Sequence, residues 1–245
     1  MAQNSKIEWT TSTWNPITGC SKVSAGCEHC YAETMARRLH AMGNPRYADG
    51  FEVRLHSDLL DLPLRWRQPR LVFVNSMSDL FHEHVPLWFV EHVFETIRKA
   101  HWHTFQILTK RSQRLRELAP DLPWPENLWM GVTVENEACA DRVADLCATP
   151  AVIKFISAEP LIAPLTVEFR GIDWVIVGGE SGPRARPIRP EWVCAIRDRC
   201  LSEGVPFFFK QWGGANKKRA GRSLDGRTWD EFPRPKADAS LIAAA

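Results

Sequence analysis

The sequence predicts an α/β protein, a partial parallel (β/α)6-type (TIM-like) barrel, on three observations. Six short apolar runs, rich in β-branched and aromatic residues, recur between residues 71 and 209. Helix-compatible segments separate most of them, and each run ends in polar groups. Such runs suit strands buried on both faces, and their alternation with helices implies a parallel sheet with right-handed crossovers.

In chain order, Tyr31 to Met42 has a helical composition, Phe51 to His56 reads as extended, and Ser57 to Trp66 reads as a second helix. Strands are expected at Leu71–Val74, Thr104–Leu108, Leu128–Val132, Val152–Ile156, Trp174–Val177 and Val205–Phe209. Helices are expected at Leu87–Ala100, Ser112–Leu118, Glu137–Ala148 and Glu191–Glu203. Leu161 to Gly171 is extended in character, so one crossover should lack a helix. Residues 1–232 should form a single domain, with 213–232 a basic C-terminal loop, and 233–245 a flexible tail of small, weakly patterned groups.

With 245 residues, 44% hydrophobic and 24% charged, the chain can bury a large core without disulfide or metal staples. A net charge of +2 gives no global electrostatic case for nucleic acid or an anionic membrane. Met1 to Glu8 lacks the apolar stretch of a signal peptide, and no apolar run reaches the length of a membrane span. A cytoplasmic location without membrane association is therefore expected. The tryptophans are assigned chiefly to the core.

Cys20, Cys27 and Cys30 form a C-x6-C-x2-C cluster that reads as a metal-binding loop. Thiolates select zinc, copper(I) or iron-sulfur centres, and structural versions of those sites normally close with four protein ligands. Three thiolates with no obvious fourth point to an iron-sulfur cluster with one open iron. Gly19 and Gly26 permit tight turns just before two of the cysteines, and Pro16 stiffens the approach. The alternative is a zinc site completed by His29 or a distant cysteine. A disulfide would leave one of the three unpaired. Cys139, Cys147, Cys194 and Cys200 fall in helical segments and read as small packing residues.

The ends of the six runs carry a second signal. They read Asn75 to Asp79, Thr109 to Arg111, Thr133 to Asn136, Ser157 to Pro160, Gly178 to Gly182 and Lys210 to Gly214. In a barrel of parallel strands these ends gather around one mouth, where active sites form. Helix capping accounts for single cases, but six polar ends in succession point to a shared site.

Several of these residues also carry a family likeness. Ile7-Glu8-Trp9-Thr10, Thr13-Trp14-Asn15-Pro16, the three cysteines with Tyr31-Ala32-Glu33, Val177 to Gly182 and Phe209 to Gly213 together resemble the phage Gp37/Gp68-like three-Cys-motif proteins. The likeness covers nearly the whole chain. That family resembles a divergent branch of the radical S-adenosylmethionine (radical SAM) enzymes. The resemblance implies a 4Fe-4S cluster on Cys20, Cys27 and Cys30, with S-adenosylmethionine on the open iron. It further implies reductive cleavage to a 5'-deoxyadenosyl radical that abstracts hydrogen from a substrate. An external electron donor and a three-Cys-motif partner protein are implied too.

The sequence departs from the superfamily's common C-x3-C-x2-C spacing, and His29 occupies the usual aromatic slot. The Gly-Gly-Glu at 178–180 lies far downstream of its usual position, so Glu180 is not given the cofactor role by motif. Strand position instead nominates Ser76, Ser78 and Asp79 for the cofactor's methionine end, with Asp79 suited to its ammonium. Lys110 and Arg111 are candidates for the carboxylate, and Glu135 for the ribose hydroxyls. Glu159, Glu180 and Lys210 remain as candidate catalytic, substrate-facing groups.

Lys217, Lys218, Arg219, Arg222 and Arg227, with Trp212 and Trp229, could hold phosphates and stack a base. The substrate expected is therefore a nucleic acid, nucleotide or peptide. Two other classes stand beside the radical enzyme: a zinc-binding phage or bacterial nucleic-acid-binding protein, and a redox or scaffold protein. The first predicts colourless, zinc-loaded protein; the second predicts neither stable metal nor cofactor cleavage. The polar barrel mouth favours the enzyme.

Overall fold

A computed structural model describes residue 5 and residues 7–234; the expected tail lies outside the described residues beyond Arg234. Seven parallel strands form the main sheet: β1 (Ser12–Trp14), β4 (Leu71–Val74), β5 (Thr104–Thr109), β6 (Leu128–Thr133), β7 (Ile153–Ala158), β8 (Trp174–Gly178) and β9 (Phe207–Gln211), in that spatial order. The six apolar runs are thus β4 to β9. Helices α2 (Leu87–Lys99), α3 (Ser112–Leu118), α4 (Asp141–Cys147) and α5 (Pro190–Glu203) supply crossovers, and α1 (Tyr31–Ala41) follows the cysteine loop. The β7–β8 connection has no helix. Leu161, Leu165, Val167, Phe169 and Ile172 of that segment are buried in the main core instead, covering the sheet where a helix would.

Three local readings are corrected. Ser57–Trp66 is not one helix but two 3-10 turns, Ser57–Leu59 and Leu62–Arg65, with Pro63 at the second position of the later turn. Proline lacks the N–H that would continue an α-helical ladder. Glu137–Ala148 begins as a 3-10 turn before α4, which leaves Cys139 buried as a packing residue and Cys147 exposed instead. β1 was not anticipated. It pairs with β4 (Ser12 opposite Val72), and a two-stranded antiparallel ribbon, β2 (Ile17–Thr18) with β3 (Arg54–Leu55), extends from it toward the cysteine loop.

The sheet is curled into a half-barrel. Trp9 packs at 4.6 Å from Phe73 of β4 and 6.3 Å from Trp174 of β8, ring to ring, and Trp174 lies 6.0 Å from Phe208 of β9. In a flat sheet β4 and β8 would stand ~19 Å apart at the usual strand spacing; contacts through one indole require strong curvature. Trp9, Phe155, Trp174, Ile176 and Phe208, with Phe73, Leu108 and Trp129 against them, fill the concave side. The convex side carries the larger core under the helices. Side chains alternate faces along a strand, so the concave side continues past the aromatic plug to Asn75, Lys110, Thr133, Ser157 and Lys210 at the strand ends. A greasy base thus gives way to a polar mouth.

Candidate functional site

The cysteine loop lies across this mouth. Gly19 begins it with φ +83°, and a Cβ there would fall 1.9 Å from the Glu52 carbonyl oxygen, so only glycine fits. Gly19 also bridges to Ser78 after β4, and the Cys20 N–H donates to the Phe51 carbonyl at 3.1 Å. Cys27 closes a 3-10 turn and Cys30 caps α1. All three thiols are free and partly exposed. Among the described residues, no three His, Cys, Asp or Glu side chains converge as a single bound ion would require.

Four strand ends, those of β4, β5, β6 and β8, hold the loop. Beneath its first cysteine, Asp79 accepts from the Phe81 N–H (3.0 Å), the Thr109 hydroxyl (2.7 Å) and the Lys110 N–H (3.1 Å), and pairs with Arg111 at 3.4 Å. Its carboxylate is used within the protein from four sides, which makes it a clamp between the ends of β4 and β5. Arg111 is placed beside Cys20: Nη1 lies 3.4 Å from the sulfur, Nη2 donates to the Ser21 hydroxyl at 2.8 Å, and Nε donates to Glu83 at 3.0 Å. Burial pushes the Cys20 thiol up to about 11, the Asp79 charge adds to this, and Arg111 opposes it.

Glu135, after β6, is almost completely buried. Its carboxylate accepts from the Ser24 hydroxyl of the loop at 2.7 Å and from Arg142 at 2.9 Å, with the Lys110 ammonium 3.9 Å away. Burial raises this carboxyl, but Lys110, the Cys139 thiol, Arg142 and Ser24 outweigh it and hold the group below its ordinary range. Gly26 presses on the same side chain: a Cβ there would sit 2.4 Å from Glu135 Oε1. At β8, Glu180 takes a two-pronged contact from Arg186, Nη2 at 2.6 Å and Nε at 3.0 Å. Arg186 also donates to the Ala25 carbonyl at 2.9 Å and to Glu28 at 3.1 Å, tying β8 to the loop. Burial raises Glu180 too, and the Arg186 contacts more than offset it.

Glu159 and Lys210 form a separate pair, 2.6 Å apart, with Gln211 extending it to the Ser181 hydroxyl at 2.7 Å. Ser76 and Ser78 face inward structural partners, donating to Asn15 Oδ1 (3.1 Å) and the Ile17 carbonyl (2.9 Å). The structure therefore gathers Cys20, Asp79, Lys110, Arg111, Glu135 and, through Arg186, Glu180 around the loop. Glu159 and Lys210 occupy the β7–β9 side of the mouth. The basic loop is folded back on β9: Arg222 pairs with Asp230, Arg227 stacks on the buried Trp229 at 3.5 Å, and the Phe209 N–H donates to the Trp229 carbonyl. The side chains of Lys217 and Lys218 lie outside the described residues.

Sequence reasoning missed the residues that serve these groups. Ser21, Ser24, Glu83, Arg142 and Arg186 carry no motif, and only the fold brings them in. Thr133 and Ser157 had a signal, being polar residues at the last turn of two apolar runs. They are register partners on adjacent strands, both fully buried, and their hydroxyls have no partner among the described residues. Asn75 Nδ2 and His29 Nδ1 are likewise buried without one. Buried polar groups are rarely left unpaired, so this rim is suited to a polar ligand.

A family model described as "Protein of unknown function (DUF5131)" matches residues 4–233. It bears that description rather than the phage Gp37/Gp68-like name suggested by the motifs. No curated protein matches the chain. Among solved structures, a spore photoproduct lyase variant aligns at 14% identity with a TM-score of 0.49, covering 80% of this chain and 62% of its own. A second variant of that enzyme, with bound AdoMet and dinucleoside spore photoproduct, aligns at 13% identity with a TM-score of 0.47, covering 93% of this chain and 62% of its own. The chain thus spans less than two thirds of the length of these structures.

Proposed function

The chain belongs to the DUF5131 family, and from that premise we propose that it is a radical SAM-type enzyme whose Cys20, Cys27 and Cys30 hold a 4Fe-4S cluster. One observation carries the reading: a loop of three free thiols is laid across the polar mouth of a parallel half-barrel, beside two buried hydroxyls and an amide nitrogen that have no partner among the described residues. Thiolates are the donors of iron-sulfur clusters, and three of them leave a position for a cofactor, so the donor set fits the group. Such a cluster with S-adenosylmethionine supplies one-electron reduction and a carbon radical able to abstract hydrogen.

The chain's own residues bind and orient. Thr133 and Ser157 offer hydroxyls to a ligand's polar groups, and Asn75 offers an amide donor at the β4 end. Lys110 presents an ammonium on the concave side, suited to a carboxylate. Glu135 is committed to Ser24 and Arg142, so its part is to hold the loop rather than to take ribose hydroxyls. Asp79 positions Arg111 and the β5 end in the same way. Glu159 and Lys210, across the mouth, form the substrate-facing pair. The substrate expected is a nucleic acid or nucleotide, an external donor supplies the electron, and a three-Cys-motif partner protein and a cytoplasmic location complete the reading. Among the described residues no helix is long and apolar enough to cross a membrane.

The test is the electron paramagnetic resonance spectrum of anaerobically reconstituted, dithionite-reduced protein, with and without S-adenosylmethionine, beside a Cys27→Ala control. A reduced 4Fe-4S signal that shifts with the cofactor and vanishes in the control is expected. Retained zinc and no such signal would overturn the reading in favour of a structural zinc site.

A further inference from the structure

We propose that Arg111 sets the reduction potential of the cluster by donating an N–H to the sulfur of Cys20; this rests on the cluster assignment above. The fold holds the guanidinium against this thiol through several contacts. Its Nη1 lies 3.4 Å from Cys20 Sγ. Nε is fixed by Glu83 at 3.0 Å, Nη2 by the Ser21 hydroxyl at 2.8 Å and the Ser21 carbonyl at 3.2 Å, and Nη1 is steadied by Asp79 at 3.4 Å. The side chain is 8% exposed. A rigid fork of donors held at every edge has little freedom to turn away from the sulfur.

The three ligands are not equivalent in this respect. Among the described residues no charged donor reaches the sulfur of Cys27 or Cys30. A cationic N–H on a cluster thiolate withdraws electron density and stabilises the more negative, reduced cluster, so it raises the potential. Asp79 and Glu83 carry the opposite charge, but Asp79 divides its carboxylate among Phe81, Thr109, Lys110 and Arg111, Glu83 pairs with Arg111 and meets Ser21 and His82, and neither carboxylate touches the sulfur. Arg111 thus makes the cluster easier to reduce, and it does so from the end of β5, the strand that also presents Lys110 to the mouth.

The experiment is a redox titration, monitored by electron paramagnetic resonance, of the reconstituted full chain and of Arg111→Met and Ser21→Ala, after iron and sulfide per chain have been measured in each. At a fixed solution potential the reduced-to-oxidised ratio should fall about tenfold in Arg111→Met, equivalent to about 59 mV for a one-electron couple. Ser21→Ala, at an exposed position whose hydroxyl meets the guanidinium at 2.8 Å and also His82 and Glu83, should shift the same way by less, and it serves where Arg111→Met does not assemble a cluster. Variants that titrate with wild-type protein overturn this inference alone. A wild-type chain that takes up no iron and sulfide overturns the cluster assignment instead.

Discussion

Replacing Gly26 by alanine should undock the cysteine loop while leaving the half-barrel intact. The new Cβ would meet Glu135 Oε1 at 2.4 Å, Cγ at 2.5 Å and Cδ at 2.7 Å, about 1 Å inside ordinary contact. Glu135 cannot retreat, because Arg142 holds its other oxygen at 2.9 Å and its backbone carbonyl accepts from the Ile162 N–H at 3.1 Å. Either the contact is overpacked, at about 1–3 kcal/mol, or the loop lifts and loses the Ser24 hydrogen bond to a charged group, at about 1.5–3 kcal/mol. In both cases the docked loop loses about 1–3 kcal/mol, a 5- to 150-fold rise in its opening equilibrium. Hydrogen exchange read by mass spectrometry should show faster exchange over residues 20–30 and unchanged protection of β5 to β8. In a Glu135→Ala background the penalty should shrink, giving a coupling energy of about 1 kcal/mol or more. Unchanged protection of residues 20–30, or strict additivity in the cycle, would refute this account of the loop.

Two further outcomes follow from the same contacts. Asp79→Ala leaves the Arg111 charge, the Thr109 hydroxyl and the Lys110 N–H short of a buried acceptor; urea unfolding should show a loss of about 3–5 kcal/mol, and a loss below 1 kcal/mol would contradict the clamp. The folded carboxyls of Glu135 and Glu180 are held below their ordinary value of 4.5, so their contribution to stability is complete above that pH and is lost as pH falls through the lower folded values. The thermal midpoint should therefore drop on acidification below about pH 4.5, less steeply in Glu135→Gln; an equal slope in wild type and variant would remove Glu135 from the explanation.

The strands of the half-barrel were readable because one face of each is buried and the other is buried or half-buried. Leu71–Val74 and Trp174–Val177 are apolar at every position, and no other environment suits so short a run. Ser12–Trp14 was not readable: its Ser-Thr-Trp carries no strand pattern, and its pairing depends on β4 residues such as Val72, which lies opposite Ser12 from far downstream. Ser57–Trp66 has helical composition, but Trp14 Nε1 takes the Leu59 carbonyl at 2.8 Å, and the chain turns there in tighter steps. The cysteines were visible as a spacing, and Asp79, Arg111 and Glu135 as polar strand ends. What the pattern could not show is direction of commitment. Asp79 and Glu135 are polar groups turned toward other protein groups, whereas the hydroxyls of Thr133 and Ser157, which look like ordinary strand-end residues, have no partner among the described residues.

The anchoring of the cysteine loop also fixes an order of events during synthesis. Ser24 reaches Glu135 across 111 residues of sequence, and Arg186 reaches Ala25 across 161. The thiols leave the ribosome well before β8 and its following turn, and the last of their supports is made only when those have emerged. Chains are synthesised at about 5–20 residues per second, so the three cysteines spend on the order of ten seconds or more reduced and undocked. The loop's supports are therefore complete only once Arg186 has emerged, and the nascent thiols are open throughout that interval to oxidation or to capture by a metal.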